Sequence, residues 1–125
     1  ITMNPTNAVP IAEMAERTPW LAWLIVVLVA PFGEELLYRH VLLRRMVMGG
    51  RVLLGVVLSS LLFAWMHEPA PSAGVGAWLG MLATYALMGV VFAAVYVRTG
   101  RFSAAVVAHA ACNLVAMVAL AFQPA

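Results

Sequence analysis

The sequence predicts an all-α membrane protein, a polytopic helical bundle of about four spanning helices, and three observations carry that reading. The chain has 125 residues, of which 65% are hydrophobic and 10% charged, with a mean hydropathy of +0.99. Soluble domains carry charge on about a quarter of their residues, and a soluble unit of this length cannot cover its surface with so little. Apolar runs recur at lengths suited to a bilayer, where about 20 residues make one crossing. Most charged residues fall between those runs.

Residues 1–18 read as a lead-in segment and 19–125 as a single core, since no repeat or low-complexity linker divides the chain. Pro5, Pro10 and Pro19 make the lead-in a loop with one short helical turn around Glu13 to Arg17. It is too polar for a cleavable signal peptide. The first span, Trp20 to Leu43, is interrupted by Pro31, Gly33 and the cluster Glu34, Glu35, Tyr38, Arg39, His40. The second, Val52 to His67, is short and needs a thinned bilayer or partial burial. The third runs from about Trp78 to Val97 and the fourth from Phe102 to Phe122. Arg44, Arg45 and Arg51 mark the first connection, Glu68 the second, and Arg98 with Arg101 the third. The positive-inside rule then puts the first and third connections in the cytoplasm and both termini outside.

Small residues predict the packing faces. Ala104, Ala108, Cys112 and Ala116 recur every four positions on the last span, and Gly76, Gly80, Gly89 and Ala93 mark the third. The single cysteine, Cys112, rules out an internal disulfide or CxxC site and is expected to pack as a small hydrophobe. A net charge of +2 with no basic cluster excludes a nucleic-acid partner; the expected partners are membrane lipid and a membrane-associated substrate.

Ionisable groups inside a span cost about 3 kcal/mol each and so call for a partner or a function. Glu35 and Arg39, four apart, form a self-satisfying pair. Glu34, rotated by about 100°, is less easily neutralised and is the candidate general base; a Glu-Glu-Arg network that only locks helices is the competing reading. His67 shares a stripe with Phe63 and Ser59 at a helix end, where an interfacial role competes with a catalytic one. His109 and Asn113 lie mid-span on one face, two donors aimed at one point as an oxyanion hole requires, or else an interhelical hydrogen-bond pair. His40 reads as peripheral.

In order, these residues spell EExxxR (Glu34 to Arg39), FxxxH (Phe63 to His67) and HxxxN (His109 to Asn113) on successive apolar helices. The pattern resembles the CPBP family of CAAX proteases and bacteriocin-processing intramembrane proteases, which includes the type II CAAX prenyl endopeptidases; it covers roughly residues 19–122. The resemblance implies an endopeptidase in the bilayer, in a bacterial plasma membrane, cutting a prenylated CAAX peptide or a propeptide. By position, Glu34 would activate water, His67 would assist, His109 and Asn113 would stabilise the oxyanion, and Glu35 and Arg39 would hold the first helix and tune Glu34. Zinc on Glu34, His67 and His109 is one option, although the chain has no HExxH. Family members often have Gly where His40 stands, and often carry more spanning helices, so this chain is expected to be the core of a larger fold.

Two other functions compete: a catalytically silent scaffold or self-immunity protein, and a haem bundle with His67 and His109 as axial ligands. Depth poses a problem for any shared site. Counted from the cytoplasmic arginines at 1.5 Å per residue, Glu34 lies about 15 Å deep, His109 about 12 Å and His67 about 24 Å. Tilt, a deeper-lying Arg51, or a break at Pro31 and Gly33 would have to reconcile them.

Overall fold

The structure, a computed structural model, describes residues 5–71 and 74–122. Among these the chain forms five helices and no strand: α1 (Ala8–Arg17), α2 (Pro19–Met48), α3 (Val52–His67), α4 (Val75–Thr99) and α5 (Phe102–Ala121). Helices α2, α4 and α5, of 30, 25 and 20 residues, are long and apolar enough to cross a bilayer, whereas α3 is a shorter apolar helix. The chain is an integral membrane bundle, and its burial pattern agrees. Glu35, Arg39, Ser59, Ser60 and His109 are buried, while Leu28, Leu53, Leu87, Val107 and Val115 face outward. In water that distribution would be costly; in lipid it is the favourable one.

The lead-in is more helical than expected. Pro10 falls in the first turn of α1, where a missing N–H removes no helical bond. Helix α1 then runs to Thr18, whose N–H closes onto the Met14 carbonyl at 2.8 Å. Ile11, Ala12 and Ala15 are half-buried while Glu13 and Glu16 are exposed, so one stripe faces the bundle.

Helix α2 does not break at Pro31. It widens into π-helical turns at Ile25–Val29 and Leu36–Leu43, and the Ala30 N–H bonds the Ile25 carbonyl five residues back. Widened turns are one way a helix absorbs a residue that cannot donate.

Helices α3 and α4 meet at Gly89, where a Cβ would lie 2.9 Å from Ser60 Cα; the end of α2 meets α3 at Gly55, where a Cβ would lie 2.6 Å from Met46 Cβ. Gly89 and Ala93 are therefore packing positions, but Gly76 has nothing within 4 Å. On α5 the buried face is Ala105, His109 and Met117. That displaces the expected stripe: Ala108 packs, but Cys112 and Ala116 are exposed, and Cys112 is not the packed hydrophobe anticipated.

Leu43, Ala93, Tyr96 and Ala105 cluster where α2, α4 and α5 share one end, and Tyr38, Phe63 and Phe92 form a second cluster beneath the polar residues. Arg44, Arg45, Arg51, Arg98 and Arg101 lie exposed at the first of these ends, as the alternation of charge predicts.

The depth problem resolves in the hairpin of α2 and α3. Helix α2 continues past Arg44 and Arg45 to Met48, and α3 starts at Val52, so Glu34 and His67 lie nearly equal distances from the adjoining helix ends. Met46 beside Gly55 and Tyr38 against Phe63 keep the two antiparallel helices in that register.

Candidate active site

Glu34 sits in α2 just after Pro31, and one of its carboxylate oxygens, Oε2, is buried without any hydrogen-bond partner. That oxygen lies 3.6 Å from Nε2 of His67 and 3.6 Å from Nε2 of His109. Both separations exceed ordinary hydrogen-bond length. Three of the sequence-derived candidates, from α2, α3 and α5, thus surround one point.

The far nitrogen of each imidazole is fixed. His67 Nδ1 donates to the Phe63 carbonyl at 2.8 Å, and His109 Nδ1 donates to Glu35 Oε1 at 2.8 Å. The carbonyl and the Arg39-paired carboxylate both accept, so each Nδ1 carries a proton and each ring turns its Nε2 edge toward Glu34. The Glu34 carboxylate and the two Nε2 edges border one polar point at the cavity. A small polar molecule such as water complements it.

Ring packing holds these orientations. His67 lies between Phe63 and Tyr85, each with its centroid 4.4 Å away, Tyr85 nearly parallel at 27°. His109 stacks on Phe92 at 4.5 Å and 15°. Phe63 is fully buried and also meets Tyr38, Phe92 and His109 edge-on.

Glu35 and Arg39 are both fully buried. Arg39 Nε stands 3.1 Å from Glu35 Oε2, an ion pair rather than an aligned hydrogen bond, since neither atom has a hydrogen-bond partner. Arg39 Nη2 donates to the Gly89 carbonyl at 2.7 Å, and the guanidinium carbon lies 5.3 to 5.8 Å from the Phe63, Phe92 and Tyr38 ring centroids. Three aromatic faces offer partial compensation for a buried cation. A polar chain results, running from the Gly89 carbonyl through Arg39, Glu35 and His109 to Glu34. Glu35 touches His109 directly, where sequence placed it as support for the first helix and for Glu34.

Asn113 lines the same cavity as Glu34, His67 and His109, and its Nδ2 donates to the Val26 carbonyl of α2 at 2.8 Å. His40 is exposed and meets only Phe102 edge-on among the aromatic rings, at 5.6 Å. Among the described residues no three His, Cys, Asp or Glu side chains are disposed to hold a metal ion.

A cavity of about 470 Å³ opens onto Glu34, His67 and His109, with Met81, Met88, Met117 and Leu120 among its apolar walls, Cys112 on its lining and Ile11 of α1 closing one side. Glu68, expected as a loop charge, is only 3% exposed. Its carboxylate accepts the Thr6 N–H at 2.7 Å and the Thr6 hydroxyl, and its carbonyl accepts the Trp78 indole N–H at 2.9 Å. These bonds strap the lead-in across the cavity. Tyr85, Phe92, Gly89 and Thr6 were not singled out as site residues from sequence; only Gly89 carried a signal, as a member of the small-residue stripe.

The order of motifs, their convergence from three helices and the buried polar chain behind them have a counterpart among known proteins. Residues 16–115 match the family model described as type II CAAX prenyl endopeptidase Rce1-like. No curated protein and no solved structure matches the chain. The match covers most of the sequence, and the chain belongs to the Rce1-like family of type II CAAX prenyl endopeptidases.

Proposed function

We propose that this chain is the core of an intramembrane endopeptidase that hydrolyses a peptide bond of a membrane-associated substrate with water activated by Glu34. The observation that carries this reading is the buried, unpartnered Glu34 Oε2 held 3.6 Å from two imidazole nitrogens at the floor of a cavity. Water donating to Glu34 and to His67 Nε2 keeps its lone pair free for the scissile carbonyl. Glu34 takes one proton as the oxygen attacks, and returns it to the departing amine as the tetrahedral intermediate collapses. His109, with Nδ1 held by Glu35, presents Nε2 beside the place where the oxyanion forms, and in its imidazolium form donates to it with Glu35 as counter-charge. The mostly apolar cavity walls suit a lipid-bearing peptide, and the family description points to a prenylated CAAX end.

Full-length protein in detergent, assayed on a prenylated CAAX peptide and on its unprenylated twin, tests this. Glu34→Gln keeps the shape and removes the base, and is expected to cut turnover by about 10²- to 10⁴-fold, the usual worth of a positioned general base. Cleavage at wild-type rate by both Glu34→Gln and His67→Ala would end the assignment. Chelators are expected to leave turnover unchanged, and loss of activity restored by zinc would instead favour a metal on Glu34, His67 and His109.

A further inference from the structure

Helix α2 has a hole in its hydrogen-bond ladder. In the π-helical register of Ile25–Val29 the carbonyl of residue i accepts from residue i+5, as Ile25 does from Ala30. The next pair would be Val26 and Pro31, and proline has no N–H. The residue four on, Ala30, is already committed to Ile25. The Val26 carbonyl is left without a helical donor, five positions before Pro31 and eight before Glu34.

Asn113 Nδ2 sits 2.8 Å from that carbonyl. In a bilayer an orphaned backbone group finds no water, and a proline in a spanning helix is tolerated when a neighbouring side chain replaces the lost partner. Asn113 is one turn beyond His109 on α5, so the same helix that presents His109 to Glu34 also closes the gap in the helix that carries Glu34. Pro31 itself is fully buried, which fixes the place of the gap.

We propose that Asn113 is a positioning residue whose amide supplies the donor that Pro31 lacks, locking the widened turn of α2 so that Glu34 is held against His67 and His109. The role concerns one N–H of the amide. It rests on the reading of Glu34, His67 and His109 as the reactive centre only for its effect on activity; the effect on folding stands apart.

Pro31→Ala gives the backbone an N–H facing Val26 and makes the amide dispensable, so the test is a double-mutant cycle in the full-length protein. Asn113→Ala, Pro31→Ala and the double variant are compared with wild type by thermal midpoint in detergent and by kcat and KM on a prenylated peptide. Asn113→Ala is expected to lower the midpoint and to reduce kcat on the order of tenfold, the scale of one buried group left unpaired. In the Pro31→Ala background the same change is expected to cost less in both readouts, with kcat recovering severalfold. Equal penalties in the two backgrounds overturn the proposal and leave Asn113 as a donor to the reacting oxygen. A smaller midpoint penalty in a protein inactive in every form supports the positioning role and counts against the peptidase reading alone. If Asn113→Ala fails to fold, recovery of folded protein on adding Pro31→Ala supports the proposal, and continued failure overturns it.

Discussion

At the scale of single residues, the chemistry rests on how two histidines are held. Each imidazole has its Nδ1 tied down and its ring stacked, so Nε2 is the only nitrogen left to face Glu34. Glu35→Gln offers His109 a neutral acceptor or, flipped, a donor that forces the other tautomer. It is expected to lower kcat by about tenfold or more with little change in KM, since orientation of a catalytic imidazole is realised mainly in the transition state. Tyr85 acts through its ring: Tyr85→Phe is expected to keep near-normal turnover and Tyr85→Ala to lose severalfold, an aromatic stack being worth about 1 kcal/mol. The motif residues themselves were legible in the sequence because ionisable groups in an apolar run stand out. Their partners were not, because Tyr85, Phe92 and a backbone carbonyl at Gly89 are ordinary constituents of a spanning helix. Only the fold reveals that Glu35 reaches from α2 to His109 on α5, 74 positions away.

At the scale of elements, helix crossings set the site. Gly89 lets α4 approach α3 to backbone contact, and its carbonyl anchors Arg39. Gly89→Ala is expected to destabilise the bundle by about 1–3 kcal/mol, the common cost of overpacking, and to reduce activity as Arg39 loses its fixed acceptor; thermal unfolding and turnover together check this. Removing one member of the Glu35–Arg39 pair costs more, about 3–5 kcal/mol for a stranded buried charge, so Arg39→Met is expected to unfold well before Gly89→Ala on heating. The bonds of Glu68 to Thr6 predict a separate effect. Glu68→Ala frees the lead-in from the cavity, and KM is expected to move more than kcat. The hydropathy pattern located all four apolar helices to within a few residues. It missed most of α1, where three prolines near the lead-in obscured a helix that Pro10 can begin, and it placed the α5 packing stripe one position off, since Ala, Val and Cys alternate there without a distinguishing period.

At the scale of the whole molecule, five exposed arginines share one end of the bundle and the cavity opens among the groups that face away from it. Cys112, the sole cysteine, lines that cavity. A bulky maleimide is therefore expected to inactivate the enzyme at a rate slowed by bound substrate, while Cys112→Ala stays active and insensitive; inactivation of Cys112→Ala at the same rate would show that the reagent acts elsewhere. The membrane setting was legible from composition, and the charge arrangement from where the arginines fall between the apolar runs. The common depth of Glu34 and His67 was not, since it depends on α2 continuing through Arg44 and Arg45 to Met48 before the chain turns into α3. The shortness of α3 bears on the supply of reactant. At 16 residues it is about 24 Å long, against a hydrocarbon layer of about 30 Å. Lipid beside it must dent inward or be replaced by solvent, and if α3 is anchored at Arg51, the dent falls at its other end, where His67 is the last residue. A hydrolase immersed in oil would then draw its water through the shallow spot that its own truncated helix imposes on the surrounding bilayer.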